Sequence, residues 1–390
     1  MHAAIVTETY PPDVNGVALT VHGLETGLRE RGHRVSLVRP RDPQAPADAH
    51  TLCVRGLGLP RYPGLRFGLP AGRLLRRAWQ DARPDAVYVA TEGPLGLSAV
   101  SAARALGIPV ATGFHTRFDH YLGRYGFGPL APVARAWMRR MHNRGDATLV
   151  PTRALAAELG AAGFRHVVRL ARAVDTRQFD PGLRDGALRA RWGAGDDAPV
   201  VIHVGRIAPE KNLGLAVRAF RAIQAERADA RFVFVGDGPE REALERANPD
   251  LVFAGVRRGR ELARHFASAD LFLFPSTTET FGNVTLEAMA SGVATVAFDD
   301  GAAREYIRNG ISGRALPLGD EDGFVAAAAA LARDADLRRN LGRAARAAVA
   351  ELDPQAVAAR FEEILAALAT ARTLGLHLLD RDVPALEMPR

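Results

Sequence analysis

The chain has one cysteine, Cys53, among its 390 residues. That lone thiol excludes an internal disulfide and any cysteine-rich metal site, and it fits a reducing compartment. Long apolar runs are missing too. None approaches the ~20 residues of a membrane span, so a meeting with a membrane would be peripheral. The opening MHAAIVTETYPP has no basic segment and no long apolar core, which argues against a signal peptide and for a cytoplasmic protein. Serine-hydrolase elbows and zinc H-E-x-x-H patterns are absent. Three D-x-D triplets occur, at Asp320/Asp322, Asp334/Asp336 and Asp380/Asp382. The first two fall in polar helix or loop segments and the third in the tail, so no metal site is expected. No short-period repeat is visible.

What is present is an ordinary soluble composition, 47% hydrophobic and 24% charged. The length is about twice that of a usual domain, which predicts two. A formal net charge of +7, dominated by arginine, favours anionic partners such as nucleotide phosphates, nucleic acid or an acidic membrane surface. The basic-aromatic mix reproduces no nucleic-acid module, so no nucleic-acid partner is expected.

Apolar runs alternate with helical periodicity along the chain. Residues 3–7 read as a buried strand, 8–17 (ETYPPDVNGV) as a turn-rich loop, 19–28 as a helix stopped by Gly32, and 35–38 as a second strand. Residues 42–70, rich in Pro and Gly, look like irregular connection. Further strands are expected at 86–90, 109–114 and 147–151, with a helix over 95–106. Periodicity is lost over 172–184, which reads as a linker. A second series then follows, with strands at 200–204, 232–235, 252–253, 271–274 and 294–298 and helices over 212–227, 240–247 and 260–267. The pattern predicts an α/β protein of two doubly wound, Rossmann-like domains facing each other across a deep cleft, over 1–178 and 185–355. A helical tail, about 356–390, would cross back onto the first domain.

Chemistry concentrates at the strand ends. Residues 274–301, FPSTTETFGNVTLEAMASGVATVAFDDG, carry Glu279 in a loop after a buried strand and Glu287 in the first turns of the next helix. The N–H groups of Asn283, Val284 and Thr285 at that helix start suit an anion. Two flanking carboxylates suit hydroxyls, such as those of a sugar and a ribose. Residues 205–213, GRIAPEKNL, place Arg206 and Lys211 beside the same loop, where a diphosphate would sit. Gly236-Asp237-Gly238-Pro239 is half of a dinucleotide fingerprint, with Arg241 where the third glycine belongs. In the first half, Gly16 allows close backbone approach to a ligand. His115 lies just beyond a strand end in TGFHTRFDHYLGRY. Arg117, Tyr121, Arg124 and Tyr125 follow as a basic-aromatic cluster suited to an acceptor with phosphate or sugar faces.

This combination resembles the retaining GT-B glycosyltransferases of family 4 over nearly the whole length. The resemblance is carried by ETYPPDVNGV, GFHTRFDHYLGRYG, VGRIAPEKNL, FVGDGPER and the E-x7-E block from Glu279 to Glu287 with G-R-x4-K before it. The histidine segment looks most like GDP-mannose-dependent α-mannosyltransferases of glycolipid assembly and sulfoquinovosyl-diacylglycerol synthases. Many relatives look as if they open with a doubled glycine where this chain has Asn15-Gly16, a pattern similar to the mannosyltransferase subgroup.

The resemblance implies that Arg206 and Lys211 bind the donor pyrophosphate and that Gly16 touches donor phosphate from the other domain. It implies that Glu279 holds the transferred hexose with Phe281, Gly282, Asn283 and Val284 beside it. Glu287 would then meet the ribose, Val256 the base, and His115 the sugar near the reacting carbon. The implied reaction retains anomeric configuration and needs no cofactor or metal, because the cations and helix start stabilise the leaving nucleoside diphosphate. Partners would be a nucleotide-sugar donor and a lipid or glycan acceptor. Residues 65–79 and 133–144, which mix Arg with Trp, Leu and Met, are candidate contacts with an anionic membrane. A soluble acceptor, a sugar-nucleotide epimerase of the same shape and a nonenzymatic nucleotide or nucleic-acid binder, favoured only by charge, are the alternatives.

Overall fold

The computed structural model describes residues 1–13, 15–42, 50–58, 66–115, 131–277 and 279–374. The chain forms two compact units, Met1–Arg172 with the returning segment from Pro354, and Ala173–Asp353.

The strands of the first unit are β1 His2–Val6, β2 Arg34–Pro40, β3 Thr51–Val54, β4 Gly56–Gly58, β5 Arg66–Gly68, β6 Ala86–Val89, β7 Val110–Gly113, β8 Ala147–Val150 and β9 Val167–Arg169. Seven of them form one parallel sheet in the order β3-β2-β1-β6-β7-β8-β9. Alternate side chains serve two cores, as a sheet covered on both faces requires. Ala3, Ile5 and Tyr88 pack with Leu24 and Leu28 of helix Gly16–Glu30 and with Phe361 and Leu365 of helix Pro354–Thr373. Ala4, Val6, Val87 and Val89 pack with Leu75 and Trp79 of helix Gly72–Asp81 and with Ala99 and Val100 of helix Pro94–Ala105.

The tail helix is seated closely on helix Gly16–Glu30. A Cβ on Gly27 would lie 2.3 Å from Ala358 Cβ. Helix Gly16–Glu30 is capped by Asn15, whose side chain accepts from Val17 N and Ala18 N, and Gly32 beyond its end has φ 84°.

The second unit contains β10 Val200–Val204, β11 Arg231–Val235, β12 Val252–Gly255, β13 Leu271–Phe274, β14 Ala294–Phe298 and β15 Arg314–Leu316. They form a parallel sheet in the order β12-β11-β10-β13-β14-β15. Phe232, Phe234, Leu271 and Val296 pack against helices Leu213–Glu226 and Glu321–Arg333. In each unit the strand order reverses next to the first strand, between β1 and β6 and between β10 and β13. Ligands of open parallel sheets bind at the C-terminal ends of such neighbouring strands.

Three readings change. Residues 42–70 hold the edge strand β3 and the antiparallel pair β4–β5. Glycines in β4 and β5 hid the pattern of that pair. The unit boundary falls at 172/173, and the segment read as linker packs on the second unit. Phe179 there meets Phe266 with ring centroids 6.1 Å apart, and Asp180 takes a 2.7 Å bond from Arg346. Within 65–79, Leu75 and Trp79 are core residues at 0% and 4% exposure, so the aromatic anchor proposed for a membrane is spent inside the fold.

Candidate active site

Loops following β10 to β14 share one edge of the second sheet. The loop after β10 begins at Gly205 and runs through the short 3-10 turn Pro209–Lys211 to Asn212, which adopts φ 52° before helix Leu213–Glu226. The loop after β11 lies on top of it. Gly205 N donates to Val235 O, Ile207 N to Asp237 O and Glu240 N to Ile207 O, at 3.0, 2.9 and 3.1 Å. A Cβ on Gly236 would fall 1.9 Å from Gly205 O, and one on Gly238 2.2 Å from Ile207 O. The two glycines that looked like half a dinucleotide fingerprint therefore let one loop backbone rest on another.

The loop after β13 reaches the same place. Glu279 Oε1 takes a 2.7 Å bond from Ser276 Oγ and an ion pair from Lys211 Nζ. Lys211 Nζ also stands 5.4 Å from the centroid of the Phe274 ring. Thr277 N reaches Glu210 O at 3.5 Å, tying the two loops. Glu279 and Lys211 side chains are 16% and 17% exposed, enough for a ligand to meet them.

Gly282 has φ 85° and forms the N-terminal cap of helix Asn283–Ala290. An L side chain there would be strained and would press on Phe274 at 3.3 Å. Asn283 and Val284 present first-turn N–H groups, whereas Thr285 N is already bonded to Gly282 O at 3.0 Å. The anion seat is thus two N–H groups, not three. Phe281 is buried, and its carbonyl accepts from Ala302 N at 2.6 Å beside Gly301.

Arg206 is half exposed, with its guanidinium 3.8 Å from Glu210. Val256, 46% exposed, follows β12 on the same edge. Glu287 is half-buried, but its Oε2 is enclosed and unpartnered, and burial pushes the carboxyl up to about 7. An enclosed acceptor without a donor fits a site that receives ligand hydroxyls.

In the first unit Gly16 is exposed at the start of its helix. His115 lies two residues past β7 and is only 9% exposed. Its Nε2 is 2.7 Å from Tyr88 Oη, and its Nδ1 faces Arg172 Nη2. A guanidinium only donates, so Nδ1 accepts and the ring proton sits on Nε2. Burial first, then the charges of Arg172 and His142, hold His115 well below the ordinary histidine range. The ring is neutral. Arg172 is itself lowered to about 10 by burial and stays cationic. Arg117, Tyr121, Arg124 and Tyr125 lie outside the described residues.

Sequence reasoning missed Ser276, Tyr88 and Arg172, the residues that hold Glu279 and His115. Tyr88 sits inside the strand read from AVYVA, where a tyrosine in an apolar run was the available signal. Among the described residues no group of three or more His, Cys, Asp or Glu side chains is placed to hold a metal. Asp320 and Asp334 cap helices.

Comparison with known proteins gives the same architecture and a family. Residues 14–178 match the description "Glycosyltransferase Family 4", and residues 198–334 match "Glycosyl transferases group 1". A GDP-mannose-dependent alpha-mannosyltransferase of Mycobacterium tuberculosis is 37% identical, over 82% of this chain and 85% of the relative. One of the same name from Mycolicibacterium smegmatis is 38% identical over 90% and 92%. A sulfoquinovosyl transferase of Arabidopsis thaliana is 32% identical over 90% and 71%. Among solved structures, HepE of Anabaena with UDP and glucose aligns with TM-score 0.73 and 19% identity over 94% of this chain and all of that one. WaaG, a glycosyltransferase involved in lipopolysaccharide biosynthesis, aligns with TM-score 0.73 and 15% identity over 93% and 99%. These neighbours share the GT-B fold, two Rossmann-like domains, and the chain is a member of the family 4 glycosyltransferases.

Proposed function

We propose that this glycosyltransferase moves a mannosyl group from GDP-mannose to a hydroxyl of a lipid or glycolipid acceptor, retaining anomeric configuration and using no metal. The donor reading is supported by relatives named for GDP-mannose that align along most of the chain. The observation that carries the transfer is the Lys211–Glu279 pair beside the start of helix Asn283–Ala290. A cation and two N–H groups suit the diphosphate, and a carboxylate next to them suits the hydroxyls of the sugar.

Arg206 and Lys211 then bind the pyrophosphate. Glu279 orients the hexose beside Phe281, Gly282, Asn283 and Val284. Glu287 receives the ribose, and Val256 lies by the base. The acceptor oxygen bonds to the anomeric carbon on the face from which GDP departs. As the sugar–phosphate bond breaks, the leaving phosphate takes the acceptor's proton. His115 is neutral with both ring nitrogens engaged, Nδ1 by Arg172 and Nε2 by the Tyr88 hydroxyl, so it is neither a base nor a free donor, and its role near the sugar is one of shape.

A UDP-hexose donor is the second reading, favoured by the UDP-bound neighbour HepE. Among the described residues no helix is long and apolar enough to cross a membrane. Helix Ala131–His142 exposes Val133 at 66% and Trp137 at 40% beside Arg135, Arg139 and Arg140. That face fits peripheral contact with an anionic membrane, such as the inner face of the plasma membrane. The test is a donor panel with total lipid extract in the presence of EDTA, with products read by mass spectrometry. Glycolipid from GDP-mannose supports the reading. Loss of all transfer in EDTA, restored by a divalent cation, removes its metal-independent part.

A further inference from the structure

Where the strand order of the first unit reverses, two buried groups have no task in the reaction just described. Glu92 lies three residues beyond β6 and is 2% exposed, and His142 closes helix Ala131–His142 at 1%. His142 Nε2 stands 3.4 Å from Glu92 Oε1 as an ion-pair contact, and both atoms are enclosed and make no hydrogen bond in this arrangement. The second ring nitrogen, Nδ1, is 2.7 Å from Thr112 Oγ1, which is also 3.2 Å from Ala147 O.

A hydroxyl has one hydrogen, so only two arrangements exist. If Thr112 donates to Ala147 O, Nδ1 carries its own proton, and a bare Nε2 would set a lone pair against the carboxylate. If Thr112 donates to Nδ1, the ring proton is on Nε2. A dry interior tolerates neither opposed lone pairs nor an unpaired carboxylate. Either way, a proton belongs between Nε2 and Oε1.

The pair underlies the exit of β7. The His142 ring packs on Phe114 at 5.5 Å and Phe164 at 5.7 Å, and Phe114 immediately precedes His115. Gly113 is needed there as well, because a Cβ would lie 2.5 Å from His115 Nε2 and 2.3 Å from Tyr88 Oη. On the other side, Glu8 after β1 accepts from Leu95 N at 3.1 Å, and its backbone N donates to Thr91 Oγ1 at 3.0 Å. Burial and then the charge of Glu92 bring the Glu8 carboxyl up to about 7.

We propose that Glu92 and His142 are positioning residues, and that the proton held between them fixes Phe114 and the ring of His115. The meaning for catalysis rests on the reading of His115 as a residue beside the sugar. Glu92→Leu removes the carboxylate side of the bond, and Glu92→Gln restores a hydrogen-bonding group of the same shape.

Histidine ring 15N–1H spectra of the full chain should place a proton on His142 Nε2 in the wild type. In Glu92→Leu the His115 resonances should move. The kcat for mannosyl transfer should fall about tenfold or more while the KM for GDP-mannose stays within about twofold. Glu92→Gln should recover both. Unchanged His115 resonances in Glu92→Leu, or a bare Nε2 in the wild type, would overturn the proposal. If Glu92→Leu does not fold by circular dichroism, His142→Gln carries the same test through the His115 spectrum. A wild type that transfers no sugar would sink the functional reading and leave the spectra to decide this one.

Discussion

Replacing Glu287 with glutamine separates the burden of its buried carboxylate from its proposed contact with the donor. Burial alone brings the group from 4.5 up to about 7. Between those values the folded protein keeps a proton that the unfolded chain has released. The stability contributed by the protonated form is therefore complete below about 4.5 and is lost as pH rises through about 7. At 1.36 kcal/mol per unit, the difference amounts to at most about 3 kcal/mol. Glutamine does not titrate, so Glu287→Gln should melt several degrees above wild type at pH 8 to 9, at roughly 2–4 °C per kcal/mol. The two curves should converge below pH 5.

Nucleotide binding should show the opposite preference. Ribose hydroxyls donate best to the ionised carboxylate, so GDP should bind more tightly as pH rises through 7 and should release a proton there. Titration calorimetry in two buffers of different ionisation heat reads that proton directly. Equal pH dependence in wild type and Glu287→Gln, or proton uptake by wild type, would refute the assignment of Glu287 to the ribose.

Four further outcomes follow from the geometry. Lys211→Ala should weaken GDP binding by roughly 1.5–3 kcal/mol, about ten- to a hundredfold by calorimetry, because it removes the proposed charge-assisted contact to phosphate. Glu279→Gln should lower kcat roughly ten- to a hundredfold with the donor KM within about threefold, given the proposed role of its carboxylate at the sugar. Gly236→Ala should destabilise the second unit by roughly 2–4 kcal/mol in denaturant melts. Its Cβ would meet Gly205 O at 1.9 Å from a backbone with φ 144°. Gly27→Val should cost roughly 1–3 kcal/mol and open helix Pro354–Thr373 to limited proteolysis, because Ala358 occupies the space the side chain needs.

Much of the fold was legible because strands buried on both faces read as unbroken apolar runs, such as AVYV of β6 and LFLF of β13. The pair β4–β5 was not, because Gly56, Gly58 and Gly68 interrupt three-residue strands that lack such a run, and β3 is a four-residue edge strand within a Pro- and Gly-rich stretch. Lys211 and Glu279 could be found from their places just past strand ends. What holds them could not. The bond from Ser276 to Glu279 needs the folded loop, and the need for glycine at 236 and 238 appears only once β10 and β11 are neighbours. Trp79 shows the reverse case. An arginine-flanked tryptophan looked like a surface anchor, yet helical spacing from Leu75 turns it into the core. Glu92 and His142 are too far apart in sequence for any local pattern to join them.

Mannosyl transfer from GDP-mannose onto total lipid extract, compared between wild type and Glu279→Ala and followed by mass spectrometry, tests the central claim most directly. The account predicts a hexosylated lipid with wild type and GDP-mannose, and strongly reduced product with Glu279→Ala protein that still binds GDP. Wild-type transfer by Glu279→Ala, or no lipid product from any nucleotide sugar, would contradict it.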